Sequence, residues 1–404
     1  MAKKPLTIQK TVLLTICLVL FSVSTIASNK AATKPMQPVF IFGDSTVDVG
    51  TNNHLKNCTA RANHPYYGID YLQSKPTGRF SNGQNAADTI VFKSCDNNKS
   101  HEKSGTPNNI VGVLYNLPPT MGLGRVTLLG GYKHSPPPFL ALLKNSSSFT
   151  GKILHGVNFA SGGCGLDKET GKDPYGVVVS LEEQIQQFAT VKGNITAILG
   201  ESNGQLLLQG SMYIMSIGSN DIMSYIFTHP VTPELFIANL TATYAMHLKN
   251  LYSLGARKFG VISVPPIGCC PIARSFSPVR DCAKEPNDLA IAFYTPLESL
   301  LKNLSSTLEG FKYSLGNAYN MTMNIIENPI GFKDVKTACC GNHTQKGISD
   351  CKKGGYLCPN RDEHLFWDAY HPSQAAVKLA ARELVFGEDP EFVTPINFST
   401  LRKA

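Results

Sequence analysis

The sequence predicts an α/β fold in which a mainly parallel sheet carries helices on both faces. Short runs of β-favouring apolar residues alternate along the chain with longer amphipathic segments, and this alternation is typical of parallel sheets covered on both sides. Clusters of Gly, Ser, Asn and Asp directly follow three of the apolar runs. Such clusters are expected at the carboxyl ends of parallel strands, where α/β proteins place their functional residues.

Four short apolar runs are predicted to be strands: residues 38–42, 155–160, 212–217 and 258–264. The clusters that follow the first three are Gly43-Asp44-Ser45, Ser161-Gly162-Gly163 and Gly218-Ser219-Asn220-Asp221. Three segments with helical periodicity are predicted to be helices: residues 233–254, 287–308 and 374–385. No internal repeat or Pro/Gly/Ser-rich linker divides the chain, so residues 28–404 are predicted to form a single domain.

The N-terminus has the pattern of a secretory signal peptide over residues 1–27. Lys3, Lys4 and Lys10 precede an apolar run at residues 11–23, and small residues follow it. This run is shorter than the roughly 20 residues that span a bilayer as a helix, and no later stretch is long and apolar enough. We therefore expect a secreted protein with no membrane span.

Charge and cysteine content agree with this expectation. The formal net charge of +8 comes from scattered Lys and Arg residues, which argues against a nucleic-acid partner, while the oligomeric state is left open. Of the 11 cysteines, Cys17 belongs to the leader, and the even number that remains predicts disulfides. The alternative is a zinc site, with ligands from Cys339, Cys340, His343, Cys351 and Cys358. Nine Asn-x-Ser/Thr sequons also fit a secreted glycoprotein.

Three residues have the chemistry of a nucleophile and its base. Ser45 follows a strand in a glycine-containing turn, which holds a hydroxyl exposed and rigid. Asp368 lies three residues before His371, and this offset can bring a carboxylate beside an imidazole. Each feature has a simpler explanation, because serines often cap turns and Asp-x-x-His pairs occur on solvated helix starts.

Acyl transfer also needs hydrogen-bond donors for a developing oxyanion. Gly162 lacks a side chain that would block its backbone N–H, and Asn220 has an amide donor. A tight turn and a capping asparagine are the simpler alternatives. The combination is more informative than any single residue, because nucleophile, donors and base follow one another at predicted loop positions.

Four blocks resemble the motifs of plant GDSL esterase/lipases, in the SGNH hydrolase superfamily, in both order and spacing. They are Phe42-Gly43-Asp44-Ser45, Asn158-Phe159-Ala160-Ser161-Gly162, Gly218-Ser219-Asn220-Asp221 and Asp368-Ala369-Tyr370-His371-Pro372. Further similar segments are residues 78–83, 135–140, 264–269 and 338–341. The resemblance implies a flavodoxin-like three-layer α/β/α sandwich, a small-molecule or lipid ester substrate, no metal or organic cofactor, and secretion to the apoplast or cell wall.

The resemblance also assigns roles to residues. Ser45, Asp368 and His371 would form a catalytic triad, and Ser45, Gly162 and Asn220 would supply the oxyanion donors. Cys269 would pair with Cys282, and Cys339, Cys340, Cys351 and Cys358 would form bridges whose pairing stays open. Cys58, Cys95 and Cys164 are harder to assign, and Cys164 could be free.

Two departures from the family pattern concern Thr46 and residues 91–130. Thr46 stands where the family has leucine and has no role in proton transfer, so little consequence is expected. Residues 91–130 form an atypical insertion without helical or strand periodicity, either an exposed loop or a retained-intron segment that replaces part of a core helix.

Two other functions remain open at this point. An acyltransferase would use the same site residues with a different acceptor, and a non-catalytic secreted binding protein could use the same fold.

Overall fold

The structure, a computed structural model, describes residues 37–91, 134–144, 146–341 and 351–404. Residues from Gln37 to Ala404 belong to one compact unit. The predicted signal peptide lies entirely outside the described residues, as does nearly all of the predicted insertion, so both stay predictions. In the described part of the chain, no helix is long and apolar enough to cross a membrane.

A six-stranded sheet forms the centre of the protein, with the strand order β10-β5-β4-β3-β1-β2. Strands β1 to β5 run parallel to one another, and β10 pairs antiparallel to β5 at the edge. The central strands are β1 Val39–Gly43, β2 Gly156–Asn158, β3 Met212–Ser216, β4 Lys258–Ile262, β5 Lys312–Gly316 and β10 Val393–Thr394. Two small pairs lie apart from the sheet: β6 Asp334–Ala338 with β9 His364–Phe366, and β7 Cys340–Gly341 with β8 Tyr356–Leu357.

The described residues include 13 α-helices. They are α1 Ala86–Val91, α2 Phe139–Leu143, α3 Ser146–Ile153, α4 Lys172–Tyr175, α5 Leu181–Leu199, α6 Glu201–Gly210, α7 Ser219–Thr228, α8 Pro233–Ser253, α9 Pro271–Ser275, α10 Lys284–Thr307, α11 Ala318–Glu327, α12 Gln374–Phe386 and α13 Phe398–Lys403. Local sequence explains several boundaries. For example, Ser180 begins α5 through a capping box with Glu183.

The alternation of side chains along the strands divides the core between the two faces of the sheet. On β1, Phe40 and Phe42 belong to one hydrophobic cluster, and Val39 and Ile41 belong to another. Helices α5, α8 and α10 contribute to the first cluster, whereas α1, α12 and α13 contribute to the second. The predicted α/β class and three-layer arrangement are therefore confirmed.

The four predicted strands and three predicted helices are all present, with ends shifted by at most a few residues. The sequence prediction missed β5, a buried strand that has only two large apolar side chains, Tyr313 and Leu315. Helix α10 contains Pro296 and begins before the predicted segment. The parallel strands end at one edge of the sheet, where the loops that carry Ser45 and Gly162 follow β1 and β2, and where α7, which carries Asn220, begins three residues after β3.

Candidate active site

Ser45 lies in a tight turn just beyond β1, at the carboxyl edge of the sheet. A Cβ atom on Gly43 would come within 2.1 Å of the Ser216 carbonyl oxygen on the neighbouring strand, so only glycine fits there. The Asp44 N–H donates to that same carbonyl oxygen at 3.1 Å. The turn is thus fixed on β3, and it presents Ser45 to a cleft of about 410 Å³.

The structure brings Ser45, His371 and Asp368 together although the serine lies 326 residues from the histidine in sequence. The Ser45 Oγ lies 2.7 Å from the His371 Nε2 atom. On the other side of the ring, Nδ1 lies 2.9 Å from each carboxylate oxygen of Asp368. A proton on Nδ1 satisfies the carboxylate and leaves the Nε2 lone pair free to accept the serine hydroxyl proton.

A short turn explains why the Asp-x-x-His spacing places carboxylate and imidazole side by side. Asp368 Oδ1 accepts hydrogen bonds from the Tyr370 and His371 backbone N–H groups at 2.9 and 2.7 Å. The Trp367 N–H closes the turn by donating to the His371 carbonyl oxygen at 2.8 Å. The same carboxylate therefore folds the backbone and contacts the imidazole.

Asp368 is only 3% exposed, and a residue distant in sequence completes its hydrogen bonding. The Tyr67 hydroxyl donates to Asp368 Oδ2 at 2.8 Å. Burial raises the pKa of Asp368, but the nearby His371 and the hydrogen bonds lower it more, so the net pKa lies below the ordinary value. No pattern in the sequence identified Tyr67 as part of the site.

Aromatic packing supports the imidazole from the side. The Phe80 ring lies 4.9 Å from the His371 ring, centroid to centroid. Phe80 belongs to the predicted motif segment at residues 78–83, and its neighbour Arg79 is fixed by a buried ion pair with Asp88, with the closest contact at 2.6 Å. This segment thus packs directly against the candidate site.

The structure does not bring the Gly162 N–H into the cleft, contrary to the oxyanion role predicted for it. That N–H donates to Asp48 Oδ2 at 3.0 Å. Gly163 lines the cleft instead, and neither its N–H nor that of Ser45 makes a hydrogen bond to another described residue. The geometry therefore favours Gly163 over Gly162 as a backbone donor.

Asp48 joins the loops after β1 and β2. It is fully buried and also accepts hydrogen bonds from the N–H groups of Gly50 and Thr51 at 2.7 and 2.8 Å. Burial raises the pKa of Asp48 to about 6, although these hydrogen bonds oppose the increase. Asp48 lies three residues after Ser45, a proximity that could have marked it as a structural partner.

Asn220 lines the same cleft as Ser45. Its Nδ2 atom donates to the Cys164 carbonyl oxygen at 2.9 Å. Because the amide nitrogen has two hydrogens, one donor remains available after this bond. The adjacent Asp221 accepts from Leu166 and Asp167 N–H groups at 2.8 and 3.0 Å, which holds the loop after β2 against α7.

Thr46 has a structural role that was not expected from the sequence. Its hydroxyl donates to Asp44 Oδ1 at 2.8 Å and lies 2.8 Å from the Ser216 hydroxyl oxygen. A leucine could not make these hydrogen bonds. Thr46 therefore links the serine turn to β3 through its side chain.

Three disulfides are present: Cys269–Cys282, Cys339–Cys358 and Cys340–Cys351. The first was implied by the resemblance, and the other two resolve the open pairing. They use all four sulfurs that the alternative zinc site required, which removes those ligands. Among the described cysteines, Cys58, Cys164 and Cys270 are free and buried, as was considered for Cys164, and Cys95 lies outside the described residues.

The sequence is similar to known proteins of one family. The sequence profile described as GDSL-like Lipase/Acylhydrolase matches residues 120–384. Three Arabidopsis thaliana proteins are similar over most of their length: GDSL esterase/lipase At4g16230 at 32% identity (92% of each chain), At5g37690 at 33% (90% of this chain, 92% of the relative) and At3g50400 at 34% (90% of each). The chain belongs to the GDSL-like lipase/acylhydrolase family and is a carboxylic ester hydrolase with a small-molecule ester substrate.

Proposed function

We propose that the protein is a secreted serine hydrolase that cleaves acyl or lipid esters through a covalent acyl-enzyme. The observation that carries this proposal is the continuous hydrogen-bonded chain from Ser45 through His371 to Asp368 at the edge of the cleft. In the proposed mechanism Ser45 is the nucleophile, His371 the general base and Asp368 the residue that orients the imidazole.

In the first step the Ser45 Oγ attacks the ester carbonyl carbon while His371 Nε2 takes the hydroxyl proton. The imidazolium is stabilised by Asp368, whose lowered pKa keeps the carboxylate ionised. As the tetrahedral intermediate collapses, the ester C–O bond breaks and His371 returns the proton to the leaving alcohol. The product of this half-reaction is an ester between Ser45 and the acyl group.

The negative oxygen of the intermediate requires donors already in place. We assign this role to the backbone N–H groups of Ser45 and Gly163 and to the free amide hydrogen of Asn220. All three residues line the cleft. Gly163 replaces Gly162 in this proposal because the Gly162 N–H is already bound to Asp48.

In the second step water replaces the alcohol. His371 takes a proton from water as the hydroxide oxygen attacks the acyl carbon, and the Ser45 Oγ leaves with that proton. The acid is released and the free enzyme is restored.

Secretion is part of the proposal and has its own support. Three disulfides form in the described part of the chain, as is typical of oxidising compartments, and the sequons at Asn57, Asn239 and Asn303 lie at exposed positions. Expression in plant cells followed by N-terminal sequencing should recover extracellular protein that begins near Ser28. Protein retained in the cytosol with its leader intact would contradict secretion.

Covalent labelling tests the acyl-enzyme mechanism. A fluorophosphonate probe should phosphonylate Ser45, and peptide mass spectrometry should find the adduct on that residue. Ser219→Ala is the matched control, because it removes another hydroxyl that lines the same cleft, and it should still label. Labelling that survives in Ser45→Ala would contradict the assigned nucleophile.

A further inference from the structure

Two helices that follow different parts of the sheet line the same cleft as Ser45. Met321 and Ile325 of α11 and Val377, Ala380 and Leu384 of α12 line this part of the cleft, which we call the apolar arm. On α11 the two residues are four apart, and on α12 they are spaced by three and four. Each helix therefore presents one apolar face to the arm.

The arm carries no charge. Of all the residues that α11 and α12 contribute to the cleft lining, only Thr322 is polar, and it is uncharged. The charged or titratable residues of the lining come from other segments, among them Asp44, Arg61, His64 and His371. A charged ligand group in the arm would lose its water without gaining a partner, whereas a hydrocarbon would gain from the same burial.

The arm is continuous with the candidate active site. Strands β1, β3, β4 and β5 are neighbours in the sheet, and Ser45, Ser216 and Ile262 line the cleft at or beyond the ends of the first three. Helix α11 follows β5, and α12 begins three residues after His371. A chain attached to a carbonyl carbon beside Ser45 can therefore run along the carboxyl edge of the sheet into the arm.

We propose that the apolar arm binds the aliphatic acyl chain of the ester, and that the residue at position 380 limits the chain length the enzyme accepts. This inference rests on the proposed function, since it assigns the acyl side of the substrate to one branch of the same cleft. Ala380 has the smallest side chain of the five residues that define the arm, so a larger side chain at this position would narrow it. Each methylene buried in the arm should raise kcat/KM about fourfold, from roughly 0.8 kcal/mol per buried methylene.

The test compares chain-length profiles for p-nitrophenyl acetate, butyrate, octanoate and decanoate. Ala380→Trp places an indole in the arm, and Lys378→Trp adds the same side chain at an exposed position of the same helix. We expect wild type and Lys378→Trp to prefer octanoate over acetate. Ala380→Trp should lose at least about tenfold in kcat/KM on octanoate and decanoate and stay within about threefold on acetate.

Equal changes on short and long esters in Ala380→Trp, or no change on either, would overturn the proposal. If Ala380→Trp does not fold, judged by circular dichroism, the smaller step Ala380→Leu should shift the optimum towards shorter chains, and an unshifted optimum in that variant would also overturn it. Failure of the proposed function gives a different result, because wild-type hydrolysis would then be absent or would persist in Ser45→Ala at every chain length.

Discussion

At the scale of single residues, catalysis is proposed to depend on how firmly each group is held before the substrate arrives. Asp368 receives hydrogen bonds from two backbone N–H groups and from the Tyr67 hydroxyl, in addition to its contacts with His371. A carboxylate with so many donors has little freedom to rotate away from the imidazole. Pre-organisation of this kind reduces the rearrangement needed to reach the transition state.

Removing the Tyr67 hydroxyl should impair catalysis more than substrate binding. Tyr67→Phe keeps the ring contact with Trp367 but deletes the donor to Asp368. We expect kcat to fall about tenfold with KM nearly unchanged, since a hydrogen bond to a charged group contributes roughly 1.5–3 kcal/mol and the remaining donors retain part of the effect. Steady-state kinetics provide the measurement, with Tyr66→Phe as the matched control. Equal kcat values for wild type and Tyr67→Phe would exclude this positioning role.

Asn220→Ala tests the proposed side-chain donor to the oxyanion. The loss of one such donor lowers kcat by roughly 10²–10³-fold in comparable sites, and we expect a drop of that order here with little change in KM. Ser219→Ala, at the preceding cleft position, should retain nearly full kcat. A drop below about threefold in Asn220→Ala would remove Asn220 from the oxyanion site.

At the scale of elements, two buried carboxylates hold the loops that carry the site. Asp48 ties the loop after β1 to Gly162 in the loop after β2, and Asp221 at the start of α7 accepts from the Leu166 and Asp167 N–H groups. Neither carboxylate forms an ion pair with a described residue, and burial raises the pKa of each to about 6. Hydrogen bonds from backbone N–H groups therefore hold the loops in place, although burial of each carboxylate without an ion pair costs electrostatic free energy.

The raised pKa of Asp221 predicts how the free energy of unfolding depends on pH. Because the pKa of Asp221 is about 6 in the folded protein and ordinary in the unfolded chain, the folded state binds the proton more tightly between about pH 4 and 6. The contribution of Asp221 to the free energy of unfolding therefore falls as pH rises through this window, by on the order of 3 kcal/mol. Asp368 has the opposite sign, because its lowered pKa gives stability that is lost only as pH falls below the ordinary aspartate value.

Urea unfolding at pH 4.5 and pH 6.5 measures this effect. From pH 4.5 to pH 6.5, the free energy of unfolding should decrease less in Asp221→Asn than in wild type, because the amide does not titrate. Asp167→Asn, a nearby variant with a side chain exposed to solvent, should change the slope much less, because its charge makes only a minor contribution to the raised pKa of Asp221. The same pH slope in Asp221→Asn and wild type would show that the raised pKa is wrong.

At the scale of the whole molecule, disulfides fasten the segment that carries Asp368 and His371. The Cys339 and Cys340 N–H groups donate to the Phe366 and Trp367 carbonyl oxygens at 3.1 and 2.7 Å. Cys339 and Cys340 are themselves bonded to Cys358 and Cys351. Through these backbone hydrogen bonds, the two disulfides thus hold Trp367, the residue directly before Asp368.

The paired substitution Cys339→Ala and Cys358→Ala should lower the free energy of unfolding by about 3 kcal/mol, from the entropy of the loop that the bridge closes. Thermal unfolding followed by circular dichroism measures the change, and residual activity should decrease with it. Cys164→Ala, which removes a free buried thiol, is the control and should have a smaller effect. A melting temperature equal to that of wild type in the paired variant would contradict this role of the bridge.

The sequence was most informative where chemistry is local. The strand before Ser45 was predicted from its own apolar residues. The contact between Asp368 and His371 was predicted from their spacing of three residues. Tyr67 could not be predicted, since it lies 301 positions before Asp368 in the sequence and meets it only in the folded protein. The hydrogen bond from the Gly162 N–H to Asp48 could not be predicted for a related reason, because it joins two loops whose residues lie 114 positions apart in sequence.

The most direct test of the account is hydrolysis of p-nitrophenyl esters by purified wild-type protein beside Ser45→Ala. The account predicts hydrolysis by the wild type and a loss of at least about 10³-fold in kcat in the variant, with unchanged circular dichroism. Equal hydrolysis by both proteins, or none by a folded wild type, would contradict the proposed serine hydrolase mechanism.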